Sequence, residues 1–593
     1  MERIKVLTVL LTGILIFLSD FCLRPSQAGR NFSPALASSE EGLLTVRSPA
    51  GRFGGTLIIS QRSEPKTLNP LTAIDGNSRD IIGLISADLI HINRYTQRTE
   101  AALAASWTVS SDGRQYTLHL RRGVRFSDGH PFDANDVIFS FDAYLDERNH
   151  APQRDLLIIT GKPISVQKID PYTVLFTLAQ PYAAAERLFD SIAILPKHLL
   201  IKRFDEGKLA SAWGLNTRPE EIAGLGPFRI KDYVPGQRLR LERNPYYWKK
   251  NYRGNRLPYL SGITSLFIPS ADAEAMRFDA GEIDIVGRLN APDFDALEID
   301  QQSRGFRLYD LGPGLEYSFL VFNLNDFSDG LTTAQRWFQH LLFRRAISAA
   351  VDRDSIVHLA YHGRAYPLSS QISPGNKLWA ESNVPNPVHS LRLARKLLYS
   401  AGFSWKENGS LSDPKGNPVE FSIMHNAAKP EQGQVAEIIQ QDLRQLGIKV
   451  TLIPLEFRSL VDRVFTSFQY EAAILTLADG DSDPNSEMSV LTSKGTAHIW
   501  RLKQRGPPPQ WQQEVDKLMD QQLTAPNYLT RKRIYDHVQD LIRENVPMVF
   551  LTSPHILVGA KDRVGNFHPA VLPSYTLWNA EELFIRQAHG GGS

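Results

Sequence analysis

The sequence predicts an α/β protein with a parallel sheet, and the stretch 419–478 carries this prediction. Apolar and polar residues alternate in two short segments, as they do in half-buried strands, and a third segment is almost wholly apolar. Between them lie two segments whose apolar residues recur at helical spacing. A strand, helix, strand, helix, strand order predicts parallel strands joined by right-handed crossovers. The five segments are Val419–Ile423, Val435–Leu446, Ile448–Leu452, Phe457–Phe468 and Ala472–Leu477.

Polar residues follow the first and third of these strands. His425 and Asn426 end the first strand, and Asp479-Gly480-Asp481 follows the third. In open α/β sheets, ligands bind outside the carboxyl ends of the strands. The sequence therefore predicts a binding site there, while a solvated acidic turn is the alternative interpretation of the aspartates.

Turn and capping residues mark elements closer to the N-terminus. Thr56–Ser60 is predicted as a strand. Arg121-Arg122-Gly123 separates Tyr116–Leu120 from Val124–Phe126, which predicts a hairpin. Asp133 precedes an apolar-periodic stretch and is predicted to cap a helix.

Composition excludes several classes of protein. The chain has 593 residues, of which 42% are hydrophobic and 22% charged, as in an ordinary globular protein. Its formal charge of +2 offers no basic excess for nucleic acid. The single cysteine, Cys22, excludes a disulfide framework and a cysteine-based metal site.

The N-terminus has the pattern of an export signal. Two basic residues precede the apolar run Val6–Leu18, which is shorter than the roughly 20 residues of a membrane span. Ser26-Gln27-Ala28 places small residues for cleavage after Ala28, so residues 1–28 are predicted to be a signal peptide. Cleavage after Ala37, an uncleaved anchor, and a lipoprotein acylated at Cys22 are the alternatives.

The two ends of the mature chain are predicted to lack fixed structure. Residues 29–53 are rich in serine, alanine and glycine and are predicted to form a flexible tether, and residues 589–593 a flexible tail. Motifs of serine hydrolases, zinc proteases and nucleotide-binding loops are missing between them. We therefore expect no catalytic residues, no metal and no cofactor.

Several short segments, in order and at plausible spacing over about residues 54–585, together resemble one family. The resemblance is to family 5 extracellular solute-binding proteins, the peptide, oligopeptide and nickel receptors of ABC importers. The segments include Gly54-Gly55-Thr56-Leu57, Leu68-Asn69-Pro70, Leu103–Trp107, Leu120–Gly129, Gly226-Pro227-Phe228, Glu242–Trp248, Gly281–Asp284 and Ala401-Gly402-Phe403.

The resemblance implies a two-lobe periplasmic binding protein of type II, similar to cluster C, with an extra subdomain in the N-terminal lobe. It places lobe I at 54–90, 181–310 and 548–588, the extra subdomain at 91–180 and lobe II at 311–547. A ligand would lie between the lobes and would be enclosed by hinge closure.

The resemblance also implies ligand contacts. In peptide-binding members, a carboxylate before an acidic-proline pair holds the ligand's α-ammonium, and here Asp483-Pro484 is that pair. Gly480 stands at the usual position of that carboxylate, so either Asp479 or Asp481 could serve. In dipeptide-binding members a basic residue after the preceding strand takes the ligand's carboxylate.

By spacing, Asn426 stands at that second position, flanked by His425 and Lys429. Without an arginine fork there, a strict dipeptide receptor is disfavoured. Longer peptides and neutral ligands stay open.

The expected function is a non-enzymatic periplasmic receptor that delivers a peptide-like solute to the permease of an ABC importer. We expect a monomer that binds no nucleic acid. An oligosaccharide receptor on the same fold is the main alternative, and a secreted hydrolase is a third that the missing motifs disfavour.

Overall fold

The computed structural model describes residues 42–326, 330–381, 384, 387–477 and 481–586. It confirms the predicted βαβαβ unit. Strand Glu420–Asn426 pairs in parallel with Lys449–Leu455 and with Ala472–Leu477. Helix Pro430–Gln445 connects the first two strands and buries its apolar face, as the periodicity predicts. The second connection is a short α-helix that continues as a π-helical turn over residues 457–466.

These strands belong to a sheet that we call the second sheet. Strand Tyr317–Phe322 pairs antiparallel with both of its neighbours, and all six of its residues are buried. Within the described residues the second sheet has five strands, in the order Lys449–Leu455, Glu420–Asn426, Ala472–Leu477, Tyr317–Phe322 and Met548–Phe550.

A larger sheet, the first sheet, is built from residues on both sides of the second one in the sequence. Its central strand, Thr56–Gln61, pairs in parallel with both neighbours. In the described part of the chain the strand order is Phe228–Val234, Arg238–Arg243, Gly262–Phe267, Thr56–Gln61, Ile285–Val286, Thr552–Lys561 and Phe306–Pro313, and Ala365–Pro367 pairs with Thr552–Lys561.

An antiparallel small sheet lies within the predicted extra subdomain, and short strand pairs complete the β-structure. The small sheet has the order Ala104–Val109, Gln115–Leu120, Thr173–Thr177 and Ser165–Asp170. The pairs are Leu44–Thr45 with Lys249–Lys250, Ile90–Ile92 with Thr99–Ala101, Ile158–Ile159 with Lys162–Pro163, Ser404–Trp405 with Leu411–Ser412, and Val564–Gly565 with Phe584–Ile585.

Helices cover the sheets, and side chains cap many of them. Asp133 caps its helix as predicted, in a reciprocal capping box with Asp136. The described α-helices are Gly76–Ile85, Ala134–Leu145, Ala185–Leu188, Lys197–Asp205, Ala271–Asp279, Ala291–Glu298, Thr333–Gln339, Leu341–Ala350, Arg353–Ala360, Leu391–Ser400, Pro430–Gln445, Phe457–Val461, Met488–Leu491, Gln510–Leu523 and Tyr528–Asn545.

The chain passes between the two sheets along neighbouring segments. It leaves the first sheet after Pro313, adds the short strand Ala365–Pro367 to that sheet, and returns to it at Thr552. The segments bind each other, because the amide of Leu551 donates to the Ser318 carbonyl at 2.9 Å. Gly375 packs so closely on this crossing that a Cβ there would lie 2.1 Å from the carbonyl oxygen of Pro313. Only glycine fits this close approach.

The first sheet and the small sheet share one hydrophobic core, and the second sheet has another. The core around the first and small sheets includes Trp248 and Tyr259, and the core of the second sheet includes Trp500 and Tyr535. Separate cores joined by crossing segments form the two lobes that the sequence predicts. The exact lobe boundaries stay a prediction. Strand Met548–Phe550, which that prediction gives to lobe I, pairs in the second sheet.

Two local predictions are wrong. Tyr116–Leu120 does not pair with Val124–Phe126; its strand pairs with Ala104–Val109 and Thr173–Thr177, because these partners complete the small sheet. The predicted tether is wrong for its described end, since Leu43 is buried in the first core and Leu44–Thr45 is a strand. Leu43 and Leu44 pack against that core, and this packing fixes a segment whose serine, alanine and glycine content predicts flexibility.

The predicted signal cleavage sites and the tail 589–593 lie outside the described residues. Among the helices that the structure describes, none combines the length and hydropathy that crossing a membrane requires.

Candidate functional site

A cavity of about 1450 Å³ is lined by residues from both lobes. Lobe I contributes the helix Gly76–Ile85, the segment around His91 and the C-terminal segment around Trp578. Lobe II contributes residues that follow the strand Ala472–Leu477, among them Asp481 and Asp483. The cavity therefore lies where a parallel sheet is expected to present its ligand.

Asp481, one of the predicted ammonium anchors, is paired across the lobes with Arg187. The Arg187 Nε donates to Asp481 Oδ2 at 2.7 Å, and Nη2 donates to the other carboxylate oxygen. Arg187 also donates to Ser482 Oγ at 3.0 Å. Burial alone would lower the pKa of Arg187, but Asp481 outweighs it and raises that pKa. A ligand ammonium at Asp481 would have to compete with this guanidinium.

Hydrogen bonds between the lobes surround that ion pair. The Gln97 side chain donates to the Gly375 carbonyl at 2.7 Å and accepts from the Lys377 amide at 2.9 Å. The Ala183 amide donates to the Leu523 carbonyl at 2.6 Å. The extra subdomain region and lobe II are therefore in direct contact at the edge of the cavity.

Asp483 caps the helical turn that begins at Pro484 and is also held by Arg531. Two parallel hydrogen bonds of 2.6 Å join the buried guanidinium to the buried carboxylate. Asp483 also accepts from the Asn485 amide at 2.9 Å. Burial would raise the pKa of Asp483, but the Arg531 charge outweighs it and holds that pKa below its usual value.

A third ionic network lines the cavity in lobe I. The His91 Nδ1 lies 3.0 Å from Asp88 Oδ2 and 3.3 Å from Asp190 Oδ1, and Arg94 donates to Asp190 at 3.0 Å. Burial alone would lower the pKa of His91, but Asp88 and Asp190 outweigh it and raise it to about 9. His91 is therefore an imidazolium at neutral pH.

Among the described residues, this network is also the group of side chains close enough together to hold a metal ion. One ligand atom from each of Asp88, His91 and Asp190 lies within 4.8 Å of the other two. The Arg94 guanidinium and the proton on His91 already balance the two carboxylates. A divalent cation would have to displace that proton beside a fixed positive charge. The cluster therefore favours an ion-pair network over a metal centre.

The other predicted site residues lie at the end of strand Glu420–Asn426. His425 and Asn426 are buried, whereas Lys429 is exposed at the start of the next helix. The backbone amide of Asn426 donates to Gln432 Oε1 at 3.2 Å. Burial lowers the pKa of His425.

None of these three is among the described residues that line the cavity, whereas Asp481 is. Asp479 lies outside the described residues. The role of all five as ligand contacts stays a prediction.

Several charged residues of the cavity wall were missed by the sequence analysis. Arg94, Arg187 and Asp190 lie in segments without a chemical motif, and only the tertiary fold brings them to the cavity. Asp80 had a usable signal, because Gly76 and Gly83 flank it at helical spacing. A glycine inside a helix indicates a packing or functional reason.

Comparisons with known proteins agree with this architecture. The family model described as "Bacterial extracellular solute-binding proteins, family 5 Middle" matches residues 98–498. A relative from Deinococcus radiodurans named "Probable ABC transporter-binding protein" is 27% identical over 554 residues, covering 90% of this chain and 92% of its own. The "Oligopeptide-binding protein AppA" of Bacillus subtilis is 25% identical over 570 residues, covering 93% and 96%.

The fold prediction is confirmed by solved structures as well. The structure of Bacillus subtilis AppA in complex with a nonapeptide has a TM-score of 0.68 and 23% identity, with 91% of this chain and 100% of that chain covered. The family model spans more than half of the chain. The chain therefore belongs to the family 5 bacterial extracellular solute-binding proteins, which are transporter solute-binding proteins and not enzymes.

Proposed function

We propose that this protein captures a peptide or peptide-like solute between its lobes and delivers it to the membrane permease of an ABC importer. The cavity volume of about 1450 Å³ supports this proposal. Pockets for drug-sized ligands measure roughly 300–1,000 Å³. A solute of several amino-acid residues uses the larger space, and a dipeptide would leave much of it empty.

The single observation that carries the proposal is the mixed charge of the cavity wall. The carboxylates Asp80 and Asp155 and the cation Arg79 line the same cavity. A peptide carries an ammonium and a carboxylate that such groups can offset. A neutral oligosaccharide would desolvate these charges without replacing the lost hydration, which is costly.

The relatives support the same class of solute and partner. Two of them are named as an ABC transporter-binding protein and as an oligopeptide-binding protein. The proposal therefore includes a permease complex in the inner membrane as the partner, and the periplasm as the location after removal of the signal peptide. The protein would act there as a monomer.

Hinge closure is part of the proposal. The two lobes have separate cores, and Arg187 and Asp481 meet across the cavity. A ligand that contacts both lobes favours the closed arrangement, because only differential affinity shifts a conformational equilibrium. Solution scattering with and without a saturating peptide should give a smaller radius of gyration when bound; an unchanged radius with demonstrated binding would count against closure.

The end of the second sheet is proposed to contribute further ligand contacts. His425 and Asn426 end the strand adjacent to Ala472–Leu477, and Lys429 is exposed just after them. On the loop after Ala472–Leu477, Asp479 and Asp481 stay candidates for binding the ligand's ammonium. Asp481 could do so only if its ion pair with Arg187 breaks. Single substitutions Asn426→Ala, Lys429→Ala and Asp479→Asn, each measured by calorimetry, test these contacts.

The deciding experiment identifies the solute. Mass spectrometry of whatever co-purifies with the protein, followed by calorimetry with peptides of two to nine residues and with maltooligosaccharides, separates the two candidate classes. Binding of peptides of four residues or more, with dipeptides much weaker, is the expected result. Binding of oligosaccharides with no response to any peptide would refute the peptide proposal and favour the sugar receptor.

A further inference from the structure

Most carboxylates of the described cavity wall already have a cationic partner. Arg187 pairs with Asp481 and Arg531 with Asp483. Lys249 pairs with Glu581 at 2.6 Å, while His91 and Arg94 serve Asp88 and Asp190. Two further carboxylates of the wall, Asp155 and Asp520, are exposed to solvent, which can hydrate them.

Asp80 differs from all of these. Its side chain lines the cavity, is partly buried, and among the described residues accepts a single hydrogen bond, from the neutral Ser574 hydroxyl at 3.3 Å. The charge of Arg79 lowers the pKa of Asp80, but by less than burial raises it, because Arg79 is exposed and adjacent residues on a helix do not face each other. Burial raises the pKa of Asp80 to about 6, which is the consequence of desolvation without a strong partner.

The helix that carries Asp80 keeps the space around it open. Helix Gly76–Ile85 buries Ser78, Ile81, Ile82, Leu84 and Ile85. Asp80 has a glycine four residues before it and another three residues after it, and at this spacing both lie on its side of the helix. A Cβ added at Gly76 or at Gly83 would meet no atom within 4 Å. Packing therefore does not require glycine at Gly83, where it weakens the helix.

An aromatic side chain borders the same region. The Trp578 amide donates to the Ser574 carbonyl at 3.1 Å, so this tryptophan follows one turn after the serine that touches Asp80, and both line the cavity. A carboxylate beside an aromatic ring suits a cation with an apolar stem. We propose that Asp80 is the counter-charge for a cationic group of the bound solute, a primary ammonium or guanidinium, held between Gly76, Gly83 and Ser574.

This assignment rests on the proposed function and deepens it. It places the cation on lobe I, whereas the sequence analysis places it on the loop of Asp479 and Asp481. The reason is electrostatic, since Asp481 is already paired with Arg187 and Asp80 has no cation within hydrogen-bond distance among the described residues. A bound ammonium would complete the charge balance of the wall.

The test is calorimetry on the full-length mature chain with three defined probes. Pentaalanine carries one cation at its N-terminus, N-acetyl-pentaalanine carries none, and N-acetyl-Ala-Ala-Lys-Ala-Ala carries one on its side chain. Wild-type protein should bind one cationic probe more tightly than the uncharged one. That probe shows whether the recognised cation is the N-terminal ammonium or the lysine side chain. Asp80→Asn should weaken that probe by about tenfold or more and leave N-acetyl-pentaalanine unchanged.

Matched variants separate charge, space and folding. Asp354→Asn removes an exposed carboxylate on helix Arg353–Ala360 that does not line the cavity, and this variant should bind as wild type does. Gly83→Gln should block the subsite and weaken the cationic probe, whereas Gly83→Ala should bind normally, and both should melt at or above the wild-type temperature because they favour the helix.

If wild type prefers a cationic probe and Asp80→Asn binds it within twofold of wild type, the assignment is overturned and the proposed function stands. If wild type binds the three probes equally, the assignment is likewise overturned. If wild type binds no peptide at all, both fail together.

Discussion

Removing the negative charge of Asp483 should destabilise lobe II by about 3 kcal/mol or more. The side chains of Asp483 and Arg531 are each 5% exposed and share two hydrogen bonds of 2.6 Å. Asp483→Asn keeps the shape of the side chain but leaves the guanidinium buried without a counter-charge. Breaking a buried pair from one side costs about 3–5 kcal/mol. The Trp379 ring, 4.9 Å from the guanidinium carbon, offsets little of that loss.

The measurement is urea unfolding at pH 7.5, followed by circular dichroism and tryptophan fluorescence. Glu420→Gln is the control, because its ion pair with Lys449 is exposed and should contribute less than about 1 kcal/mol. The double variant Asp483→Leu/Arg531→Met should recover part of the loss, because replacing both charges with apolar side chains removes the unpaired ion.

A pH series checks the cause of the effect. The pKa of Asp483 is lowered in the folded protein, so its contribution is present above the unfolded value of about 3.9 and is lost as pH falls through the folded value. The difference between wild type and Asp483→Asn should therefore shrink below about pH 4. A variant within about 1 kcal/mol of wild type at pH 7.5, or a difference that does not change with pH, would refute the reasoning.

Three further predictions concern other parts of the chain. N-terminal sequencing of the exported protein should begin at Gly29, and an acylated Cys22 at the N-terminus would contradict this. The pKa of Asp80 is raised to about 6, so the unliganded protein loses stability as pH rises through that value; Asp80→Asn should be more stable than wild type by up to about 3 kcal/mol at pH 7.5 and equal to it near pH 4 in denaturant titrations. The pKa of His91 is raised to about 9, so its stabilising contribution is complete below about pH 6.5 and is lost as pH rises through 9; thermal melts of His91→Gln and wild type should converge above pH 9, and a gap that persists there would count against the ion-pair network.

The βαβαβ unit could be predicted because its information is local. Helix Pro430–Gln445 and its two flanking strands follow one another directly, and their apolar periodicity shows which face is buried. The predicted hairpin between Tyr116–Leu120 and Val124–Phe126 is wrong. The partners of the strand Gln115–Leu120 lie elsewhere in the small sheet, so local sequence does not determine them. Turn chemistry permits a hairpin at Arg121-Arg122-Gly123, but long-range pairing decides the outcome.

The candidate site was predictable in location and not in its charge balance. The edge of the second sheet follows from strand direction, and Asp481 does line the cavity. Its partner Arg187 lies 294 residues away in the sequence, and no spacing rule connects them. His425 and Asn426 end a strand of the same sheet but are covered, because the Gln432 side chain on the next helix accepts a hydrogen bond from the backbone amide of Asn426.

The distribution of partners decides what the cavity can recognise. A carboxylate that is paired within the protein, such as Asp190 with Arg94, contributes to the shape and electrostatic potential of the cavity. It gains little further stabilisation from a cation of the ligand. A carboxylate that the fold has desolvated and left with one neutral hydroxyl, as at Asp80, gains most when a cation arrives, because the cost of burying it has already been incurred on folding. We therefore expect specificity for a charged solute at a partly buried carboxylate that has no ion pair within the protein. Among the described residues of this cavity that carboxylate is Asp80, on the helix Gly76–Ile85.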